Sequence, residues 1–288
     1  MRVLLSSLRD IHIPELEKIV VVDDSGGSLH LESEFADLPI EWIELPERVF
    51  ISGAKNIGWH RSSSELVYFI DDDNVVTQET FQVPLGTLAT HPEVGAVVPA
   101  VLYWRRPDLV WVYATPLAPG RWGHSLLGRN RPRDPALEGR LFDTDALPNA
   151  VLVRRRALVD IGGFREALAV NSSADAALRL KKAGWTVYAT TAAFIYHDVE
   201  PPGRLGYWAQ HGVSDPGRVY HEIRDWFSFM QSLHRDERFF TIRATLHASG
   251  FMLPNGLSYL LTGGSQGRES LLQLVRGYIS SIRTRRGA

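Results

Sequence analysis

Residues 66–76 read Leu-Val-Tyr-Phe-Ile-Asp-Asp-Asp-Asn-Val-Val, an apolar run that ends in three carboxylates, Asp71, Asp72 and Asp73. A run this short, dense in Val, Ile, Phe and Tyr, predicts a strand buried on both faces. Three adjacent acids at its carboxyl end repel one another unless something positive sits there. In open α/β sheets the crevice beyond the carboxyl ends of the strands is where ligands bind. Packed hard oxygen donors suit Mg²⁺ or Mn²⁺, and such an ion would also neutralise a phosphate-bearing substrate. The plain alternative is a solvated acidic turn with an Asp capping the next helix.

The flanking elements must position that acidic end. Lys18–Val22 predicts a buried strand, closed by the turn Asp23-Asp24-Ser25-Gly26-Gly27. Residues 1–8 fit a short strand or the end of a helix. Ile40–Leu45 alternates as a second strand. A helix over Gly53–Ser64 leads into the Leu66 strand, and Thr77 caps another through Thr90. Val94–Trp104 is a further strand, interrupted at Pro99. Strands alternating with helices predict an α/β fold with a doubly wound, mostly parallel sheet. Residues 116–140 break the pattern with Pro, Gly and five arginines, Arg121, Arg129, Arg131, Arg133 and Arg140. An irregular segment of that length is either functional or disordered. Arg154-Arg155-Arg156 reads as an exposed solvated run.

Composition narrows the classes. The chain has 288 residues, 44% hydrophobic and 22% charged, with a formal net charge of −2. That balance gives no bulk reason to expect a nucleic-acid partner. The absence of cysteine excludes disulfides and thiolate metal sites. No apolar run reaches membrane-spanning length. The expectation is a cytoplasmic chain whose membrane contact, at the inner face, is peripheral.

Seven short stretches then fall in a telling order: Asp-Asp-Ser-Gly at 23, Lys-Asn-Ile-Gly at 55, Phe-Ile-Asp-Asp-Asp at 69, Pro-Asn-Ala at 148, Ile-Gly-Gly-Phe at 161, Asp-Ala-Ala-Leu-Arg-Leu at 175 and Tyr-His-Asp at 196. In this the chain resembles a family 2 glycosyltransferase of the GT-A fold, over roughly Leu4 to Asp198. The resemblance implies transfer of a sugar from a UDP-, GDP- or dTDP-sugar donor to a hydroxyl of a saccharide or lipid-linked acceptor, with Mg²⁺ or Mn²⁺ on the diphosphate. It implies that Asp23 and Asp24 serve the nucleotide, with Asp24 reading the base. Lys55 and Asn56 face the base or a phosphate. Asp71 and Asp72 lie nearer the ribose, and Asp71, Asp73 and His197 surround the metal. Pro148 and Asn149 line the acceptor side. It also divides the chain into residues 1–200, a GT-A nucleotide-sugar-binding catalytic domain, and residues 201–288, a helical appendage that contacts a membrane or a partner.

Two departures stand out. The family's acidic pair ahead of the Leu-Arg-Leu helix is replaced by Ser172 and Ser173, neither of which takes a proton at neutral pH. Asp175, two residues on, is the candidate general base; a different mechanism, or donor binding without efficient turnover, are the alternatives. A catalytically weak, donor-binding or assembly subunit is therefore the rival function. A nucleotidyltransferase ranks third, because no Gly-rich basic phosphate loop follows the first strand. At the front, Ser7-Leu8 already stands where the family's first helix ends, so the expectation is that the first strand of the sheet is missing or poorly replaced by residues 1–5. At the other end, the last helix is amphipathic and basic, suited either to anionic lipid or to packing on the rest of the chain.

Overall fold

The computed structural model describes residues 1–27, 30–118, 120, 122–201, 216–234, 238–262 and 264–286. Arg121 and the stretch around Tyr207 lie outside the described residues. The chain forms two compact units: residues 1–117, 124–166 and 172–201 make the first, and residues 118–123, 167–171 and 202–288 the second.

In the first unit the elements run α1 (Arg2–Arg9), β1 (Ile19–Asp23), β2 (Ile40–Glu44), α2 (Phe50–His60), β3 (Leu66–Ile70), β4 (Asn74–Val75), α3 (Gln78–Thr90), β5 (Val94–Tyr103), β6 (Arg106–Val112), β7 (Leu141–Asp143), β8 (Ala150–Arg154), α4 (Arg155–Ile161), α5 (Ser172–Lys182) and β9 (Thr186–His197). A seven-stranded sheet has the order β3-β8-β5-β9-β4, with β6 on β5 and β7 on β9. Its axis is β5, whose ten residues are all buried, as a continuous Val/Ala/Leu run requires. Pro99 does not interrupt it. The β5–β9 pairing shifts register between Pro99 and Ala100, and that irregularity accommodates a residue with no N–H to give the ladder.

The sheet is mixed, which corrects the expectation of a mostly parallel one. β5 runs parallel to β9, but β3–β8, β5–β8, β5–β6, β4–β9 and β7–β9 are antiparallel. Of these pairs only β5–β6 is a hairpin closed by a turn; the others bring together strands far apart in sequence. β6 was hidden in the sequence because its first residues, Arg106-Pro107-Asp108, are exposed and polar.

β1 and β2 form a separate parallel pair, hydrogen-bonded to no strand of the larger sheet. Residues 2–9 are helical, and α1 packs against both layers. Leu5 joins Val21, Leu31 and Phe35 on the β1–β2 side, while Leu4 joins Val76, Val101, Val112 and Ile195 on the seven-stranded side. α3 starts on a capping box in which Thr77 and Thr80 satisfy each other's backbone. α4 stops at Gly162, whose φ of 66° is the left-handed cap position that favours glycine.

Arg154 and Arg155 are anchored rather than solvated, against the expectation of an exposed run. Arg154 donates to the carbonyls of Val94 and Leu88, at 2.8 and 2.6 Å. Arg155 donates to those of Ser64 and Trp59, at 2.7 and 3.0 Å. Both satisfy carbonyls at the ends of α2, α3 and their loops, a job the linear charge pattern conceals. Arg156 alone is exposed.

The second unit holds α6 (Pro216–Leu233), α7 (Phe240–Thr262) and α8 (Gly264–Arg286). Trp122 lies between the rings of His234 and His247, at 4.2 and 4.7 Å. Asp225 is fully buried; it accepts from Val170 N–H at 2.9 Å and pairs with Arg224. Among the described residues, no helix is long and apolar enough to cross a membrane.

Candidate functional site

The carboxyl end of β3 is held by side-chain amides. Asp71 N–H donates to the Asn149 carbonyl at 2.8 Å. Asn74 donates to the Asp71 carbonyl at 2.9 Å and to Asp73 Oδ1 at 3.2 Å. Asn149 in turn donates to Asn74 Oδ1 at 3.1 Å. Both asparagines are buried, so each amide must find partners or cost stability. Asn149 has φ 56°, a left-handed conformation that Asn adopts more readily than most residues. The residue expected on the acceptor side is thus a clamp on the acidic loop.

β4 pairs Asn74 with His197 at the end of β9, and that register brings the two distant motifs together. His197 Nε2 lies 3.0 Å from Asp73 Oδ2, and Asp198 N–H donates to the Asp73 carbonyl at 2.8 Å. Burial pushes the Asp73 carboxyl up, but the His197 hydrogen bond and charge outweigh it and leave it below the ordinary carboxylate range. Trp111 of β6 packs its edge on the His197 ring at 5.2 Å, and Arg129 stacks over Trp111 at 4.1 Å.

The three acids of the triplet have different surroundings. Asp71 Oδ1 is 3.2 Å from Lys55 Nζ. Asp72 lies beside the amino group of Met1, at 3.7 Å. Asp73 faces His197. The triplet lies past the end of β3, in a turn that sends its three carboxylates to different neighbours. Lys55 therefore reaches the acidic loop, whereas Asn56 does not: its amide is used by the Phe164 carbonyl and Glu166, at 2.8 and 2.9 Å. Its oxygen accepts from Phe164 N–H at 2.9 Å, so Asn56 fastens the Gly162-Gly163 turn. Gly163 is required there, because a Cβ would come within 2.7 Å of Asn56 Oδ1.

A cleft of about 450 Å³ lies at the end of β1, lined by Asp24, Ser25, Gly26, Pro46 and Arg48. Asp24 Oδ2 accepts from Phe50 N–H at 3.0 Å. Asp23 Oδ1 accepts from Ser25 N–H at 2.8 Å. Its other oxygen, Oδ2, is buried and has no hydrogen-bond partner among the described residues. Sequence reasoning missed Arg48, Pro46, Asn74 and Trp111. Only Asn74, directly after three acids, carried a local signal.

Ser172 and Asp175 lie on α5, both 1% exposed. Asp175 Oδ2 accepts from Arg179 at 2.7 Å, and Oδ1 is 3.1 Å from Arg165. Both oxygens therefore face guanidinium groups. A general base needs a free lone pair within reach of the acceptor hydroxyl. The arginine-rich segment is folded where described: Arg133 pairs with Glu138 at 2.8 Å and stacks over Phe194.

A metal would have to use Asp73 and His197. Among the described residues, no group of three or more His, Asp or Glu side chains is placed to enclose an ion. Two protein donors facing each other at 3.0 Å do fit a hard divalent cation that takes its remaining oxygens from a diphosphate and water.

Known proteins similar to this chain bear on its fold and family. The model of glycosyl transferase family 2 matches residues 1–140. A Mycobacterium tuberculosis protein, pre-mycofactocin glycosyltransferase, is 27% identical over 202 residues, covering 69% of this chain. The chain spans 40% of that relative's length. The structure of GalNAc-T7 with UDP, GalNAc and Mn²⁺ superposes with a TM-score of 0.55 at 11% identity, over 86% of this chain and 54% of that one. The mannosyltransferase PcManGT from Pyrobaculum calidifontis, in complex with GDP-Man and Mn²⁺, gives 0.53 at 17% identity, over 96% and 81%. At such identities the likeness is one of fold. The chain is thus similar to the family 2 glycosyltransferases over residues 1–140, and its architecture is the GT-A fold of the solved neighbours.

Proposed function

We propose that the chain transfers a sugar from a UDP-, GDP- or dTDP-sugar to a hydroxyl of a saccharide or lipid-linked acceptor, with a divalent cation on the diphosphate. The observation that carries this reading is the Asp73–His197 pair at 3.0 Å, held beside Lys55 at the end of β3. The cation supplies charge neutralisation for the departing nucleoside diphosphate, and Lys55 adds a positive charge beside the same oxygens. The acceptor oxygen bonds to the anomeric carbon, the bond from that carbon to the phosphate oxygen breaks, and the hydroxyl proton passes to a base. In the two solved neighbours described above, the bound ligands are UDP with GalNAc, or GDP-Man, each with Mn²⁺, which supports the donor class.

Asp23, rather than Asp24, is the better reader of the base. Its buried Oδ2 is an unpaired acceptor, and a ring N–H of the base would satisfy it, whereas one oxygen of Asp24 already holds Phe50 N–H. Asp175 serves by tying α5, through its pair with Arg179, to Arg165 rather than by taking the proton, and Asn149 serves by setting the acidic loop as well as by lining the acceptor side. Residues 1–200 are the catalytic unit; residues 201–288 bring it, at the inner face of a membrane, to its acceptor. The test is thermal stabilisation by nucleoside diphosphates with Mn²⁺, which rises by mass action when the folded state binds. No stabilisation by any of UDP, GDP or dTDP would refute the donor reading. Tight binding without transfer to any acceptor would favour the rival, a donor-binding subunit, a reading kept because Ser172 and Ser173 stand in place of two acids.

A further inference from the structure

Helix α7 turns a line of large apolar side chains to solvent. Ile242, Leu246, Leu253, Leu257, Leu260 and Leu261 are each more than half exposed, and Leu261 reaches 75%. At about 100° per residue they fall within roughly 100° of arc, along about 30 Å of helix. Ala244, Ala248 and Tyr259 are buried and lie on the opposite side. The helix thus has a separate face for packing within its unit, and the leucine line is left over. An apolar patch of this extent marks a site of protein or membrane interaction.

The charges around it select the occupant. Residues 240–262 contain one arginine, Arg243, and no Asp, Glu or Lys. α8 adds Arg268, Arg276, Arg283, Arg285 and Arg286 against a single acid, Glu269. The two helices therefore carry +5 in a chain whose formal charge is −2. Glu269 is already within 3.8 Å of Arg276. A two-fold contact with a second copy would set two such positive surfaces face to face with almost no acid to offset them. An anionic lipid surface offers apolar chains for the leucines and phosphate headgroups for the arginines at once. Neither α7 nor α8 is apolar enough to span, so the contact is parallel to the surface.

We propose that α7 is the membrane-docking element, its leucine line seated among the acyl chains of an anionic bilayer with Arg243, Arg268 and Arg276 at headgroup level. This deepens the membrane contact proposed above and is independent of the transfer chemistry. The test is co-sedimentation of the whole chain, without nucleotide, with vesicles of phosphatidylcholine alone or mixed with phosphatidylglycerol. Binding should need the anionic lipid and weaken as salt rises. The double variant Leu246→Gln/Leu253→Gln should lose at least about 10-fold in binding while melting like the parent, since both side chains are exposed. Failure of the parent to bind, or equal binding by the double variant, would overturn the proposal. So would self-association in lipid-free solution that the double variant abolishes, because the line would then belong to a second copy. A parent chain that binds nucleotide with Mn²⁺ but no vesicles would refute docking alone; one that binds vesicles but no nucleotide would refute the donor reading alone.

Discussion

Substitution of Asp175 by Asn distinguishes a buried strut from a proton acceptor. The side chain is 1% exposed and its two oxygens face Arg179 and Arg165. The amide keeps the volume but removes the charge, and it turns a donor toward one of the guanidiniums. Arg179, whose side chain is 19% exposed, would be left half-paired. Breaking one side of a buried pair costs about 3–5 kcal/mol, whereas Arg165 is 46% exposed and adds little. At about 2–4 °C per kcal/mol for a unit of this size, the melting temperature should fall by roughly 6–20 °C. Scanning calorimetry reads the fall, and turnover measured well below the lowered melting point reads the chemistry. Below that point, the variant should retain activity within a few-fold of the parent. If the variant instead melts with the parent while turnover drops by about 10²–10⁴, the loss expected for a general base, the strut reasoning is wrong and Asp175 takes the proton.

Other perturbations follow from the same geometry. Asp73→Ala should abolish Mn²⁺-dependent stabilisation by UDP or GDP in a thermal-shift assay, because Asp73 and His197 are the facing donors; full retention would remove Asp73 from the metal. Asp23→Asn should weaken nucleotide binding more than Asp24→Asn, measured by titration calorimetry, since only Asp23 keeps a buried unpaired oxygen. Arg155→Ala should cost about 1.5–3 kcal/mol in denaturant unfolding by stranding the carbonyls it serves, and Arg156→Ala no more than about 0.5 kcal/mol. Acid should destabilise the first unit in two stages. Burial depresses the His124 pKa below its ordinary 6.5, so the unfolded chain binds that proton first and stability is lost as pH falls below about 6.5. Burial pushes the Asp145 carboxyl up, but Lys181 at 2.6 Å and the Leu117 N–H bring it below its ordinary 3.8. The stability from that pairing is present above that value and is lost as pH falls through the depressed one. His124→Gln should flatten the first stage in a melting series between pH 5 and 7.

Local chemistry wrote several parts of this molecule into its sequence. The β1 and β3 runs, the Asp triplet, Thr77 before α3 and the Gly162 stop of α4 each depend on neighbours within a few residues, where propensity and capping act. The family resemblance was equally legible, because its motifs are short and keep their order. Other features depended on which distant backbones meet. Arg154-Arg155-Arg156 looks uniform along the chain, yet two of the three serve carbonyls about 60 to 100 residues away. Asp175 reads as a first-turn acid of α5; its pair with Arg179 is local to that helix, but Arg165 reaches it only once the turn after α4 packs against α5. Asn56 and Lys55 are adjacent in sequence and point to different tasks. The pairing of Asp73 with His197 spans 124 positions and exists because β4 and β9 run side by side. Sequence alone set the β1, β3 and β5 runs and the reactive residue types, which short-range forces decide. Tertiary packing alone decided which acid meets a histidine, which meets a lysine and which is locked by arginine, because a charged group's role depends on the charges and solvent that the fold brings to it.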